Sequence, residues 1–359
     1  MKRHFHTFDA LRFFAFFKVF LLHVPIVAFP LFNIFRRGGG VGVIFFFVLS
    51  GFLITYIILD EKNRTGNLNL YHFYVRRILR IWPLYYLMVA VAFATPYIIS
   101  VIHISSSNKG YTPNWLMTLT FLENYKMIIT NNQPNVSPLG VIWSLCIEEH
   151  FYLLWGILLY FINIKRIPVV LISAIIISNI FNFIFVKNNI NTIEILTNIG
   201  YFAFGAMPAY WILNKNDKFE SFILNIPNIY KYFLIVITLS YMLGSANIIF
   251  KFQAYIEPLI YGLLFSSLLC VIMPISSNII IGDRNILSKL GIYTYGLYLY
   301  HTIIINFFIQ VFKKLNLSLD KAFIASIFIV ITLGTTIFVC HLSYKFFEKP
   351  ILKLKSYFY

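Results

Sequence analysis

Arg12 and His23 stand eleven residues apart in the stretch FDALRFFAFFKVFLLH. In a helix, about 100° per residue returns them to within about 20° of one face, about 16 Å apart along the axis. That face then offers a permanent cation near one end and an imidazole further along. Such a pair can hold an anionic group at one end of a long molecule while a proton acceptor meets the other end. The same residues fit a plainer reading, with Arg12 paired to Asp9 or reaching for lipid headgroups and His23 bonded to a neighbouring helix. Spacing alone leaves both open.

Further titratable residues gather elsewhere. In YHFYVRRILRIWPLYYL, Arg77 and Arg80, or Arg76 and Arg80, share a helix face, and two guanidinium forks on one face suit a phosphate. Basic residues followed by Trp82 and tyrosines are equally the pattern of an interface anchor, with the helix entering the membrane at Trp82 and Pro83 in its first turn. In WSLCIEEHFYLLW, Glu148, Glu149 and His150 are consecutive, so only one or two of them can face a common cavity. A carboxylate there can orient a histidine on another helix and stabilise its imidazolium. In GIYTYGLYLYH, Thr294 and Tyr298 fall on the face of His301 and form a polar seam. The glycine-rich GGGVGVIFFFVLSGFLIT adds backbone N–H groups near Ser50 and Gly51 as candidate donors to an anionic oxygen. His4, His6, His103 and His341 have no evident partner in the sequence and are read as structural.

The elements that must position these groups are membrane helices. Of 359 residues, 59% are hydrophobic and 12% charged; a soluble domain carries about 25% charge. A water-soluble globule is therefore excluded. Apolar stretches of about 20 residues, enough to cross a bilayer, recur almost end to end. Hydropathy predicts ten helices near 8–30, 40–59, 81–102, 143–162, 167–186, 195–213, 229–249, 254–275, 291–312 and 322–343. Together they read as a single polytopic, all-α membrane domain over 1–359 with no soluble extracytoplasmic domain. An even number puts both termini on one side. With cytoplasmic termini, the inner segments hold 18 Lys and Arg against 9 outside, the bias expected of inner loops. The net charge of +16 accordingly reads as contact with anionic membrane lipid rather than nucleic acid. The longest outer connection, 103–142, has polar edges around WLMTLTFLENY and reads as a re-entrant or lid segment. Cys146, Cys270 and Cys340 show no metal-ligand spacing and read as core residues. Ionisable groups at membrane depth cost about 3 kcal/mol each on insertion scales, which marks Arg12, His23 and the glutamates as functional candidates.

Taken in order, these segments resemble the membrane acyltransferases of family 3. The resemblance rests on FDALRFFAFFKVFLLH, VIFFFVLSGFLI, YVRRILRIWPLYYL, WSLCIEEHFYLLW, GIYTYGLYLYH and FFEKP, which span nearly the whole chain. It implies a multi-pass protein of the bacterial cytoplasmic membrane. Such a protein takes an acyl group, usually acetyl, from cytoplasmic acyl-coenzyme A as co-substrate. It delivers that group to a hydroxyl of a cell-surface glycan or lipid-linked sugar. Carried over by motif, His23 is catalytic, Glu148 and Glu149 match the family's paired glutamates, Arg12 serves donor binding or site organisation, and Arg77 and Arg80 bind donor phosphates. Ser50, Gly51, His150, Tyr298 and His301 complete the candidate lining, and no metal is expected. Two departures stand out: His150 replaces the family's usual glutamine, and the sequence ends 16 residues after position 343, where larger members carry an esterase-like domain.

The expected chemistry is general-base catalysis by neutral His23 on an acceptor hydroxyl, with acyl-imidazole formation as the runner-up. Two other classes remain, a carrier for a lipid-linked sugar and a non-catalytic subunit of a polysaccharide-synthesis complex. Against the carrier, no pair of matching broken helices suggests inverted repeats.

Overall fold

The computed structural model describes residues 5–25, 36–101, 110–214, 216–244, 248, 252–273 and 279–358. In chain order the helices are α1 (Thr7–His23), α2 (Gly40–Thr65), α3 (Leu70–Val101), α4 (Trp115–Leu119), α5 (Glu123–Thr130), α6 (Trp143–Phe161), α7 (Ile167–Lys187) and α8 (Ile195–Asn214). They continue as α9 (Asn216–Asn225), α10 (Asn228–Gly244), α11 (Gln253–Ile272), α12 (Ile286–Gly291), α13 (Thr294–Lys314), α14 (Ala322–Ser343) and α15 (Lys349–Lys353). Among the described residues there is no strand, only an isolated bridge between Tyr111 and Pro134.

A helix stands at each of the ten expected places, but among the described residues six helical stretches are long and apolar enough to cross a membrane: Gly40–Thr65, Leu70–Val101, Ile164–Lys187, Gln253–Ile272, Thr294–Lys314 and Ala322–Phe358. Lys218–Asn225 and Asn228–Gly244, bent by 88°, make a seventh if they form one broken span. The far end of the expected first span, part of 229–249 and of 254–275, His4 and His103 lie outside the described residues.

Two boundaries differ physically from expectation. The third helix begins at Leu70 instead of 81, so Arg76, Arg77 and Arg80 are helical and Pro83 is interior. Membrane helices tolerate such prolines because neighbours satisfy the freed backbone groups. At the other end, α14 does not stop at Ser343 but continues through a π turn, Tyr344–Glu348, into α15 and a 3₁₀ turn, Leu354–Phe358.

The chain divides into two compact units. The first comprises 1–19, 37–70 and 150–292; the second comprises 20–36, 71–149 and 293–359. In the first unit, α2 and α8 touch through glycine. A Cβ on Gly51 would sit 2.0 Å from the Phe202 carbonyl oxygen, and one on Gly205 would sit 1.8 Å from that of Val48. Small residues allow this backbone approach, which supplies the dispersion contacts that hold helices together in lipid. Helix α7 buries Ser178 and Asn182 while exposing Ile172, Ile176, Ile180 and Ile184, so its apolar stripe faces outward, the reverse of a soluble helix. Buried Lys18 donates to the carbonyls of Arg37 (2.7 Å) and Leu243 (3.1 Å). Lys62 donates to the carbonyls of Leu159 (2.7 Å) and Ile162 (2.8 Å), closing the C-terminal end of α6.

The core of the second unit packs Leu84, Tyr85, Met88, Val89 and Ala92 of α3 against Phe121, Leu139, Ile142, Leu145, Cys146 and Leu299. The segment expected as a re-entrant or lid piece is, over 110–142, a small ordered cap of short helices. Its centre is Glu123, fully buried, which accepts hydrogen bonds from the Tyr111 hydroxyl (2.6 Å) and Thr118 (2.6 Å). Burial and then the bond to Glu123 hold the Tyr111 hydroxyl well above the ordinary tyrosine range. Helix α14 repeats the outward apolar pattern, burying Thr332 and Thr336 and exposing Phe323, Val330 and Phe338.

Candidate active site

His23 ends α1, and its ring lies against His301 near the middle of α13, with centroids 4.9 Å apart and planes at 74°. Its Nδ1 is 3.3 Å from Nε2 of His301. His301 is fully buried, and its Nδ1 is 2.7 Å from the carbonyl oxygen of Tyr298, one helical turn earlier. A carbonyl only accepts, so His301 Nδ1 carries the proton. With both rings neutral, His301 Nε2 presents a lone pair and His23 Nδ1–H donates to it. The lone pair of His23 is left on Nε2. His301 thereby does for His23 what a carboxylate does in many catalytic dyads, fixing the tautomer and the ring plane. The Tyr298 hydroxyl in turn donates to the Val141 carbonyl (3.0 Å) and shares a 2.7 Å hydrogen bond with Ser144 at the start of α6, so the seam read from Thr294, Tyr298 and His301 is anchored on a second helix.

The paired glutamates also belong to the second unit. Glu149 Oε2 accepts from the Trp82 indole (3.2 Å), while Oε1 is buried with no hydrogen-bond partner among the described residues. Trp82, read from sequence as a possible interface anchor, is thus a partner of the glutamate pair. Arg77 acts electrostatically on Glu149, and Glu148 on the Tyr298 hydroxyl. His23, His301, Tyr298, Glu148, Glu149, Arg77 and Arg80 are therefore all residues of one unit.

Arg12, Ser50, Gly51 and His150 belong to the first unit. Arg12 pairs with Asp9, three residues earlier, as the plainer reading had it. Ser50 lies 3.5 Å from the Tyr152 hydroxyl. Gly51 sits mid-helix, where the α2 ladder uses its N–H and a Cβ would meet the Phe202 carbonyl, so its backbone is engaged in helix packing. His150 is half-buried on α6. Two histidines read as partnerless have partners: His6 pairs with Asp283 (2.9 Å), and His341 bonds the Tyr293 hydroxyl (3.1 Å). Sequence reasoning missed the His23–His301 pair, 278 positions apart. A signal existed: both are imidazoles in otherwise apolar spans.

Comparison with known proteins places this arrangement. The sequence profile of the acyltransferase domain family (Acyl_transf_3) matches residues 5–344, and the chain belongs to that family. It is 28% identical over 357 residues to the peptidoglycan O-acetyltransferase OatA of Listeria monocytogenes, covering 92% of this chain and 54% of that protein. It is 26% identical over 372 residues to the O-acetyltransferase OatA of Staphylococcus aureus, covering 96% and 57%. With the putative peptidoglycan O-acetyltransferase YrhL of Bacillus subtilis it shares 36% over 157 residues, covering 42% of this chain and 23% of that protein. The chain thus spans about half the length, or less, of these relatives. No solved structure matches it.

Proposed function

We propose that this chain is a transmembrane O-acyltransferase of the bacterial cytoplasmic membrane, a single domain of ten spans with both termini in the cytoplasm. It takes an acetyl group from cytoplasmic acyl-coenzyme A and passes it to a hydroxyl of a cell-surface glycan or its lipid-linked precursor. The relatives' names make peptidoglycan the first acceptor to try. The observation that carries the reading is the 3.3 Å contact of His23 Nδ1 with His301 Nε2, which with both rings neutral leaves Nε2 of His23 basic.

In this reading His23 Nε2 takes the proton of the acceptor hydroxyl as its oxygen bonds to the thioester carbonyl carbon. The C–S bond of the tetrahedral intermediate then breaks, and the thiolate leaves with the proton returned by the imidazolium. His301 keeps the imidazolium oriented. Arg77 and Arg80 hold donor phosphates, Arg12 contributes to donor binding, and Glu149 Oε1 accepts from a ligand N–H or O–H. The acyl-imidazole route uses the same nitrogen as nucleophile.

The test is purified protein with labelled acetyl-coenzyme A, followed by mass analysis of glycans from cells with and without the gene. His23→Ala is expected to abolish transfer while the protein stays folded in the membrane. Full activity in that variant overturns both routes.

A further inference from the structure

Glu149, on α6, has one carboxyl oxygen occupied and one idle. Oε2 accepts from the Trp82 indole at 3.2 Å, and Oε1 is buried with no hydrogen-bond partner among the described residues. The indole itself is fixed by two further rings. It meets the Tyr86 ring edge-on at 5.8 Å and lies tilted against Phe121 at 5.9 Å. Phe121 stacks at 4.1 Å on Tyr85, whose hydroxyl donates to the Thr118 carbonyl (2.6 Å), and the Tyr86 hydroxyl donates to that of Leu119 (3.1 Å). Helix α3 and the cap thus build one aromatic wall with the carboxyl group at its rim, where Trp82 and Glu149 are each only half-buried.

A buried carboxyl oxygen that accepts nothing has given up its hydrogen bonds to water, so its place favours an occupant that brings an N–H or O–H. The helix that carries the wall indicates which. Trp82 follows Arg77 by five residues and Arg80 by two, about 7.5 Å and about 3 Å of helical rise further along α3. With the donor's phosphates at the arginines, the part of the donor that continues in that direction is the pantetheine arm. This arm is thin and mostly saturated, and it carries two secondary amides before the thioester. Its methylenes suit an aromatic surface, and an amide N–H suits a carboxylate oxygen.

We propose that Glu149 Oε1 accepts a hydrogen bond from an amide N–H of the donor's pantetheine arm, and that Trp82 is the positioning residue that holds the carboxylate for it. The proposal rests on the acyl-coenzyme A reading above and deepens it by naming the group that Glu149 meets. Recognition of the arm is then separate from recognition of the phosphates, and the amide pattern of the arm becomes part of donor specificity.

The test is isothermal titration of the full chain in phosphatidylcholine nanodiscs with coenzyme A and with an analogue methylated on both pantetheine amide nitrogens, which keeps the phosphates and loses both N–H donors. The parent is expected to bind the analogue about tenfold more weakly, the size of one hydrogen bond to a charged group. Glu149→Gln, whose one carbonyl answers the Trp82 indole, is expected to bind coenzyme A about tenfold more weakly than the parent and to hold the two ligands within about threefold of each other. Trp82→Phe, which keeps a ring and removes the indole N–H, is expected to weaken coenzyme A more than the analogue; equal weakening of the two overturns the role given to Trp82. The thermal midpoint of each variant checks its folding, and the parent's own discrimination needs no variant. A parent that binds both ligands alike overturns the proposal, as does a Glu149→Gln protein that discriminates as the parent does. So does a loss in Glu149→Gln that appears only in the acceptor KM, which would give Oε1 to the acceptor hydroxyl. A parent that binds neither ligand, yet transfers acetyl from another donor, overturns the donor reading itself.

Discussion

A histidine that must act as a base is useless if its lone pair points at its own support. In His23 the supporting nitrogen is Nδ1, and neutral His301 can accept from it at Nε2 because its own Nδ1–H donates to the Tyr298 carbonyl. In the proposed reading His301 positions the base without touching substrate, and the prediction at this scale concerns it. His301→Ala is expected to lower kcat by about 10–100-fold, the usual cost of removing a group that orients a functional imidazole, with little change in donor KM. His301→Gln retains a side-chain carbonyl able to accept from His23 Nδ1–H, so it is expected to recover a measurable part of the lost kcat. Equal loss in both variants, accompanied by a lowered thermal midpoint, would mean that His301 is only a packing residue. The arginines follow the same logic at the other end of the donor. Arg76, the most buried of the three, donates to the backbone carbonyl of Phe358, and in the proposed reading Arg77 and Arg80 face the donor phosphates.

Helices that bury serine and threonine while exposing isoleucine and phenylalanine gain little from hydrophobic association, and their contacts must come from close fit. One such fit is α2 on α8 in the first unit, where Gly205 meets the Val48 carbonyl. Gly205→Ala puts a methyl group against backbone that cannot yield. It is expected to destabilise the protein by about 1–3 kcal/mol, read as a lowered thermal midpoint in detergent. An unchanged midpoint would show that the two helices can part at no cost. Much at this scale is legible from sequence, because the 3.6-residue period and the hydropathy of each stretch are local properties. The ends are less so. The start of α3 at Leu70 is hidden because the basic and aromatic residues before Trp82 interrupt the hydropathy of the span, and Pro83 looks like a first-turn residue until its neighbours are known. The site divides the same way. Arg12–His23 and Arg77–Arg80 are visible as spacings along one helix, whereas His23–His301, Trp82–Glu149 and Arg76–Phe358 join positions that only tertiary packing brings together.

For the whole molecule, the reading requires that donor and acceptor come from opposite faces of the membrane, so sidedness is the property on which it turns. In the proposed reading both termini and the Arg76–Arg80 end of α3 lie on the cytoplasmic side, and the cap over 110–142 lies outside. The excess of lysine and arginine in the segments assigned to the interior, 18 against 9, favours this orientation. Cysteine labelling can decide it with little background, since Cys146, Cys270 and Cys340 are all buried. In intact cells, Asn132→Cys, exposed in the cap, is expected to react with a membrane-impermeant maleimide, and Lys353→Cys, exposed near the C-terminus, to react only after permeabilisation. The reverse pattern would place the arginine cluster outside, away from cytoplasmic coenzyme A, and the transfer as written would have no donor. Labelling of both positions in intact cells would mean an even number of spans between the cap and the tail instead of the expected seven, and it would remove the even total on which the cytoplasmic placement of both termini depends.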